Sequence, residues 1–277
     1  MNHASTIDTD KLLTRLIDIG KEAGDLLLAG FGGECAHEHK ADASPVTEYD
    51  QAAEALIGRH LAADFSGIAI VGEEEISTGH VPPDLGGCFF LVDPLDGTKE
   101  FIAGVPDFTV NIALVDGGVP VCGVVVAPAH GELFVGSTQG AFKSWRQRDG
   151  VWTALRRIAA RERPAEIIAL ASRSHRTLAT DVYLRDFTLD SVIPMGSSLK
   201  YCRIAEGVAD LYPCLGRTME WDIAAAHAVL RAAGGTIRDL GGTALRYGKR
   251  GRSDSADFAN PAFVATGRWD VPRASAS

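Results

Sequence analysis

Apolar and polar positions alternate along the chain with periods that predict its elements. From about Asp10 to Ala29, Leu12, Leu16, Ile19, Ala23 and Leu27 recur every three or four positions. That is one face of an amphipathic helix, with Thr9 or Asp8 as its cap. The polar stretch HEHKADASPVTEYD reads as a loop, and a second helix starts near Asp50, burying Ala53, Leu56, Ile57 and Leu61. The next apolar runs are too short for helices. GIAIVG is β-branched and Gly-bounded, which predicts a buried strand ending at Glu73. CFFLV predicts another that stops at Asp93-Pro94, because proline cannot donate to a ladder. FTVNIALV, VPVCGVVVA and GELFVGS, separated by Asp116-Gly117-Gly118 and His130-Gly131, predict a meander.

The basic stretch KSWRQRDGVWTALRRIAARERP then reads as a surface connection. It suggests two halves: residues 1–150, an α+β half with helices and a mostly antiparallel sheet, and 151–277, an α/β half. The second half predicts strand EIIALAS, a helix near 176–186, a strand near 188–193 and a helix from Ser197 to Glu206. Strand ADLYPCL, a helix from Asp222 to Ala233 and strand GTIRDL follow. Interleaved strands and helices argue a layered, mixed α/β (α+β) architecture.

The 277 residues carry 27 Lys plus Arg against 36 Asp plus Glu, a net charge of −9. That balance disfavours nucleic acid, whose non-specific affinity comes from basic side chains neutralising phosphates. A content of 46% apolar and 23% charged residues excludes a disordered chain. Five cysteines, Cys35, Cys88, Cys122, Cys202 and Cys214, show no paired spacing, so free thiols are expected. No basic segment leads into an apolar run at the N-terminus, and no apolar stretch reaches membrane length, so a cytoplasmic protein is expected.

The sharpest local feature is DPLDGTKEF, Asp93 to Phe101. Asp93 and Asp96 stand three residues apart where a strand leaves the core. Two acids so close repel unless a cation or proton lies between them, and magnesium is a suitable hard cation. The same letters also make an ordinary turn. Strand GIAIV likewise ends in acids, Glu73-Glu74-Glu75, although Glu75 reads more simply as solvated. Asp222 heads the helix DIAAAHAVLRAA, where N-cap service alone would explain it, and Asp50 has the same reading. Glu73, Asp93, Asp96 and Asp222 could converge at one edge, which would suit a multi-magnesium site for phosphoryl transfer. The histidines form no metal pattern: His37 and His39 lie on a polar loop and His227 is mid-helix.

The blocks KADASPVTEYD, VGEE, LVDPLDGTKEF and WDIAAAHAVLRAAGG, in that order across nearly the whole chain, resemble the inositol monophosphatase superfamily of lithium-sensitive, magnesium-dependent phosphatases. ASRSH and GSSLKYCRIAEGVADLYPCLGRTMEWD look like its 3′(2′),5′-bisphosphate nucleotidases of CysQ type. Inositol monophosphatases typically read DPIDGTTNF, whereas this chain has Lys99-Glu100 after Thr98, and they lack the Ser197, Ser198, Lys200 arrangement. The resemblance implies a layered α-β-α-β-α sandwich of the inositol monophosphatase/fructose bisphosphatase kind.

It also implies roles. Glu73, Asp93 and the Leu95 carbonyl would hold a first magnesium, and Asp93, Asp96 and Asp222 a second. A third would lean on Glu73, giving two to three ions. Thr98, with Asp50, would orient the attacking water, and the Gly97 and Thr98 amides would contact the scissile phosphate. Ser197 and Lys200 would meet the nucleotide beside Asp222, Lys200 holding the phosphate that is not cleaved. Arg173 and His175 are weaker phosphate contacts, Glu74 and Lys99 lie near the site without a role, and Arg217 reads as surface.

The implied activity removes the 3′-phosphate of adenosine 3′,5′-bisphosphate, a by-product of sulfate activation, giving AMP and phosphate. The 3′-phospho form of adenylyl sulfate is an admissible second substrate. An inositol-phosphate or fructose-bisphosphate phosphatase with the same metals is the nearest alternative, and a non-catalytic nucleotide- or metal-binding regulator a more distant one. The partner is then a small molecule and the protein a monomer or homodimer. Peripheral attachment to the inner membrane face, found in some relatives, has no amphipathic basic helix here to support it.

Overall fold

The computed structural model describes residues 8–33, 35–40, 44–174 and 177–271. Helix α1 (Thr9–Gly30) is capped by Asp8, whose side chain accepts from the Asp10 and Lys11 amides. Inside the expected loop, strands β1 (His37–His39) and β2 (Pro45–Thr47) pair antiparallel. Helix α2 (Glu48–Asp64) is capped by Thr47, with Asp50 reciprocating from the third helical position. Asp50 therefore completes a capping box and is not the cap itself.

Strand β3 (Ala69–Gly72) hands over at once to the short helix α3 (Glu73–Ser77). Strand β4 (Cys88–Asp96) runs past the proline expected to end it. Its pairing slips between Asp93 and Asp96, and Pro94 falls in that irregularity, where no ladder bond is required. Helix α4 (Thr98–Ile102) and strands β5 (Thr109–Asp116), β6 (Val119–Ala127), β7 (Glu132–Ser137), β8 (Gly140–Trp145) and β9 (Arg156–Ile158) follow. Strands β3 to β9 form one sheet in sequence order, parallel at β3–β4 and antiparallel beyond. The basic stretch is thus partly strand: β9 pairs with β8, and Lys143 on β8 is buried among Glu132, Glu206 and Arg203 rather than solvated.

The rest of the chain gives β10 (Ile167–Ser172), α5 (Leu178–Leu184), β11 (Leu189–Met195), α6 (Leu199–Ala205), β12 (Leu211–Cys214), α7 (Glu220–Ala232), β13 (Thr236–Asp239) and β14 (Phe263–Thr266). A second sheet has the order β11-β10-β12-β14-β13, parallel in its first three strands.

Burial on both faces explains the continuous apolar runs. On β4, Phe90 and Val92 face α1 and α2 with Ile112 and Val124, while Phe89 and Leu91 join a second core with Val125 and Phe134. That second core contains α6 and α7 and the inner face of the other sheet, through Tyr212, Ile237 and Phe263. Helix α5 covers the far face, where Leu184 packs with Ile167, Ala169, Leu211 and Val264. The layers run α-β-α-β-α. Helix α7 comes so near the first sheet that a Cβ on Gly136 would lie 2.4 Å from the Val229 Cα.

Candidate active site

Three separate stretches bring acids to one cavity of about 410 Å³. Glu73 is the first residue of α3, Asp93 and Asp96 close β4, and Asp222 is the third residue of α7. Carboxylate oxygens of Glu73, Asp93 and Asp222 lie within 4.8 Å of one another. Asp93 Oδ1 accepts from the Leu95 amide at 3.1 Å and Asp222 Oδ2 from the Met219 amide at 2.8 Å. Asp222, like Asp50, is an N3 residue reaching back to its helix start, so it stabilises the helix without being the N-cap.

The arrangement is electrostatically unfavourable as it stands. Burial, then repulsion from Glu73, Asp96 and Asp222, pushes the Asp93 carboxyl well above the ordinary range. Asp222 is raised by burial and then by Asp96 and Glu73. Burial pushes Asp96 up to about 6 although the Lys200 ammonium and the Ser198 amide pull it down. Lys40, just after β1, donates to Glu73 at 2.6 Å and Glu74 at 2.7 Å. Burial and Glu73 still raise Glu74 to about 7. Hard carboxylate oxygens that repel one another, on the buried Asp93 and the partly buried Glu73, Asp96 and Asp222, fit a divalent cation such as magnesium.

The turn after β4 has its own chemistry. Gly97 sits at φ 98°, and a Cβ there would lie 2.9 Å from the Asp107 carbonyl oxygen, so only glycine fits. It launches α4, whose first residue, Thr98, lines the cavity. The Thr98 hydroxyl is 3.0 Å from Asp50 Oδ1 and 3.2 Å from the Leu95 carbonyl. Asp50 is buried beneath the cavity and is held by the Thr47 amide at 2.8 Å.

Gly97, Thr98, Ser197 and Lys200 all line the cavity with Leu95 and the acids. Ser197 has φ 47°, an uncommon left-handed conformation for a residue with a side chain. The buried Lys200 ammonium donates to the Ser197 carbonyl at 2.6 Å and lies 5.1 Å over the Tyr212 ring. Arg217 is exposed, as its surface reading has it, and it also lines the cavity, as do Lys99 and Glu100. Arg173 is instead engaged with Asp107 at 2.8 Å and the Pro194 carbonyl. His175 lies outside the described residues.

Ser198, which the sequence marks only as part of the Ser197, Ser198, Lys200 arrangement and gives no role, is 1% exposed. Its amide donates to Asp96, and its hydroxyl bonds Asn111 at 2.7 Å and Thr109 at 2.9 Å, tying the Lys200 loop to β5 and to the end of β4. The paired serines before the lysine were the available signal. Lys40 is likewise unmarked as a partner of the acids, though it opens the block KADASPVTEYD. The five cysteines are free thiols. Among the described residues no helix is long and apolar enough to cross a membrane.

Residues 8–270 match the inositol monophosphatase family, and the chain belongs to that family. Within it, the chain is 37% identical to the 3′(2′),5′-bisphosphate nucleotidase CysQ of Escherichia coli K12, covering 91% of this chain and 98% of that protein. It is equally 37% identical to CysQ of Salmonella typhimurium, covering 92% and 99%. The crystal structure of CysQ from Bacteroides thetaiotaomicron superposes with a TM-score of 0.75 at 33% identity, covering 95% of this chain and 99% of that one. An inositol monophosphatase from Thermotoga maritima shares the fold, with a TM-score of 0.72 at 23% identity, covering 94% and 93%.

Proposed function

We propose that this protein is a cytoplasmic, magnesium-dependent 3′(2′),5′-bisphosphate nucleotidase. It removes the 3′-phosphate of adenosine 3′,5′-bisphosphate, giving AMP and phosphate, and so clears a by-product of sulfate activation. The observation that carries the reading is one cavity lined by both the acid triad Glu73, Asp93 and Asp222 and the buried Lys200. Together they offer hard ligands for a cation beside a fixed ammonium, the pairing a substrate with two phosphates needs. The kinship to CysQ nucleotidases supports the nucleotide over a sugar phosphate.

Glu73, Asp93 and the Leu95 carbonyl would hold one magnesium, and Asp93, Asp96 and Asp222 a second, with a third at Glu73. Bound magnesium neutralises phosphate oxygens and lowers the pKa of water. The chain's own groups then do the positioning. With its proton committed to Asp50, the Thr98 hydroxyl offers lone pairs to a water and orients it for attack on phosphorus. The Gly97 and Thr98 amides, at the start of α4, receive the phosphate oxygens. Lys200, steadied by the Ser197 carbonyl, holds the phosphate that stays. Asp222 borders both the cation and the substrate. Ser198 keeps this loop in register with Asp96.

The test is phosphate release by the purified protein with magnesium from adenosine 3′,5′-bisphosphate, inositol 1-phosphate and fructose 1,6-bisphosphate. The reading expects a strong preference for the nucleotide, abolished by chelator. Preference for either sugar phosphate would overturn the substrate, and no release from any would favour a regulator.

A further inference from the structure

Glu54 lies on α2 one turn beyond Asp50, is 7% exposed, and is aimed at the start of α3 rather than at the cavity. Its Oε2 accepts from the Glu74 amide at 2.9 Å and its Oε1 from the Glu75 amide at 2.7 Å. Those are the second and third residues of the helix whose first residue is Glu73. The N-cap of that helix is Gly72, which makes no side-chain cap bond. Gly72 leaves room for the carboxylate, since a Cβ there would lie 2.5 Å from the Glu54 Cδ. A charge at this place is otherwise unfavourable: burial and the neighbouring Glu73 and Glu75 oppose it. What the carboxylate supplies is two acceptors for two amides that have no partner within so short a helix.

We propose that Glu54 is a positioning residue for Glu73: acting from α2 as the missing N-cap of α3, it fixes how α3 leaves β3 and so aims the Glu73 carboxylate at Asp93 and Asp222. The inference rests on the reading of that triad as a magnesium site. One rigid helix then sets two parts of the site, Thr98 through Asp50 and Glu73 through Glu54.

The test compares Glu54→Ala, Glu54→Gln and Gly72→Ala in the full chain. It reads magnesium binding by titration calorimetry, the magnesium concentration for half-maximal phosphate release, substrate KM at saturating magnesium, and melting temperature. Glu54→Ala should weaken magnesium binding about 10–100-fold, as loss of a ligand's supporting partner does. Glu54→Gln should weaken it less, because its amide keeps one acceptor. Gly72→Ala, which leaves Glu54 in place but displaces its carboxylate, should act in the same direction. Substrate KM at saturating magnesium should stay within about threefold. Unchanged magnesium affinity in Glu54→Gln and Gly72→Ala, with melting temperature alone lowered, would overturn the proposal and leave a merely structural role. If the parent binds magnesium but hydrolyses no phosphate ester, the phosphatase reading fails while calorimetry still judges Glu54. A parent that binds no magnesium overturns both.

Discussion

Replacing Asp93 by Asn should stabilise the metal-free protein while removing its response to magnesium. The Asp93 side chain is buried, with an oxygen within 4.8 Å of oxygens on Glu73 and Asp222. Two unit charges at that separation repel by about 3.5 kcal/mol at an effective dielectric of about 20, and Asp93 faces two of them. Burial and then its acidic neighbours raise the carboxyl, and taking up a proton would limit the repulsion it bears. At pH 7 the penalty is therefore capped near 4 kcal/mol, about three pH units above an ordinary aspartate pKa. The sign follows from the raised value: the folded state holds the proton more tightly, so the penalty grows as pH climbs from the ordinary pKa toward the folded one. Asn keeps the shape, and its Oδ1 can still accept from the Leu95 amide. A relief of about 1–3 kcal/mol would raise Tm by about 3–10 °C in a chain of this size. Differential scanning calorimetry in chelator at pH 7 and pH 5 should show the gain shrinking at the lower pH. Added magnesium should raise the parent's Tm and not the variant's. A variant that melts below its parent in chelator at pH 7 would refute the mutual repulsion of the three acids.

Lys200→Met should raise KM for adenosine 3′,5′-bisphosphate about 10–100-fold, the loss of one charge-assisted contact of about 1.5–3 kcal/mol. KM for adenosine 3′-monophosphate should move far less, and equal losses on the two substrates would remove Lys200 from the second phosphate. His227 is buried, with Nδ1 2.7 Å from the Tyr247 hydroxyl, and burial pushes it down to about 3. Folding therefore keeps it neutral. That contribution is complete above about pH 6.5 and is lost by up to about 1.4 kcal/mol per unit as pH falls toward 3. In urea unfolding between pH 4 and 7, His227→Gln should show a flatter pH dependence than the parent, and parallel curves would refute the assignment.

The acids were legible because strand ends and helix starts are marked locally, by Gly72-Glu73, Asp93-Pro94 and Trp221-Asp222. The helix faces and the meander were legible for the same reason. What the chain does not mark locally is which distant amide or carboxylate completes a bond. Glu54 looks like any polar helix residue until the fold lays it against α3, 20 positions away. Ser198 likewise bonds residues 87 and 102 positions away. Strand β9 was hidden by charge, since Arg156 and Arg157 sit exposed on an edge strand. Strand β4 outran its proline because the irregular pairing after Asp93 asks no amide of Pro94.

Helix α7 serves as a common wall, with sheet on either side of it. A chain opened at the exposed turn 147–149 would leave Phe89, Leu91, Val125 and Phe134 uncovered in one fragment and strip α7 of its main partner in the other. Neither piece would hold Glu73, Asp93 and Asp222 together, since the third acid lies on the other side of the cut. Hydrolysis regained on mixing would therefore report reassembly of the fragments, and the protein has the layout of a split reporter whose signal is released phosphate.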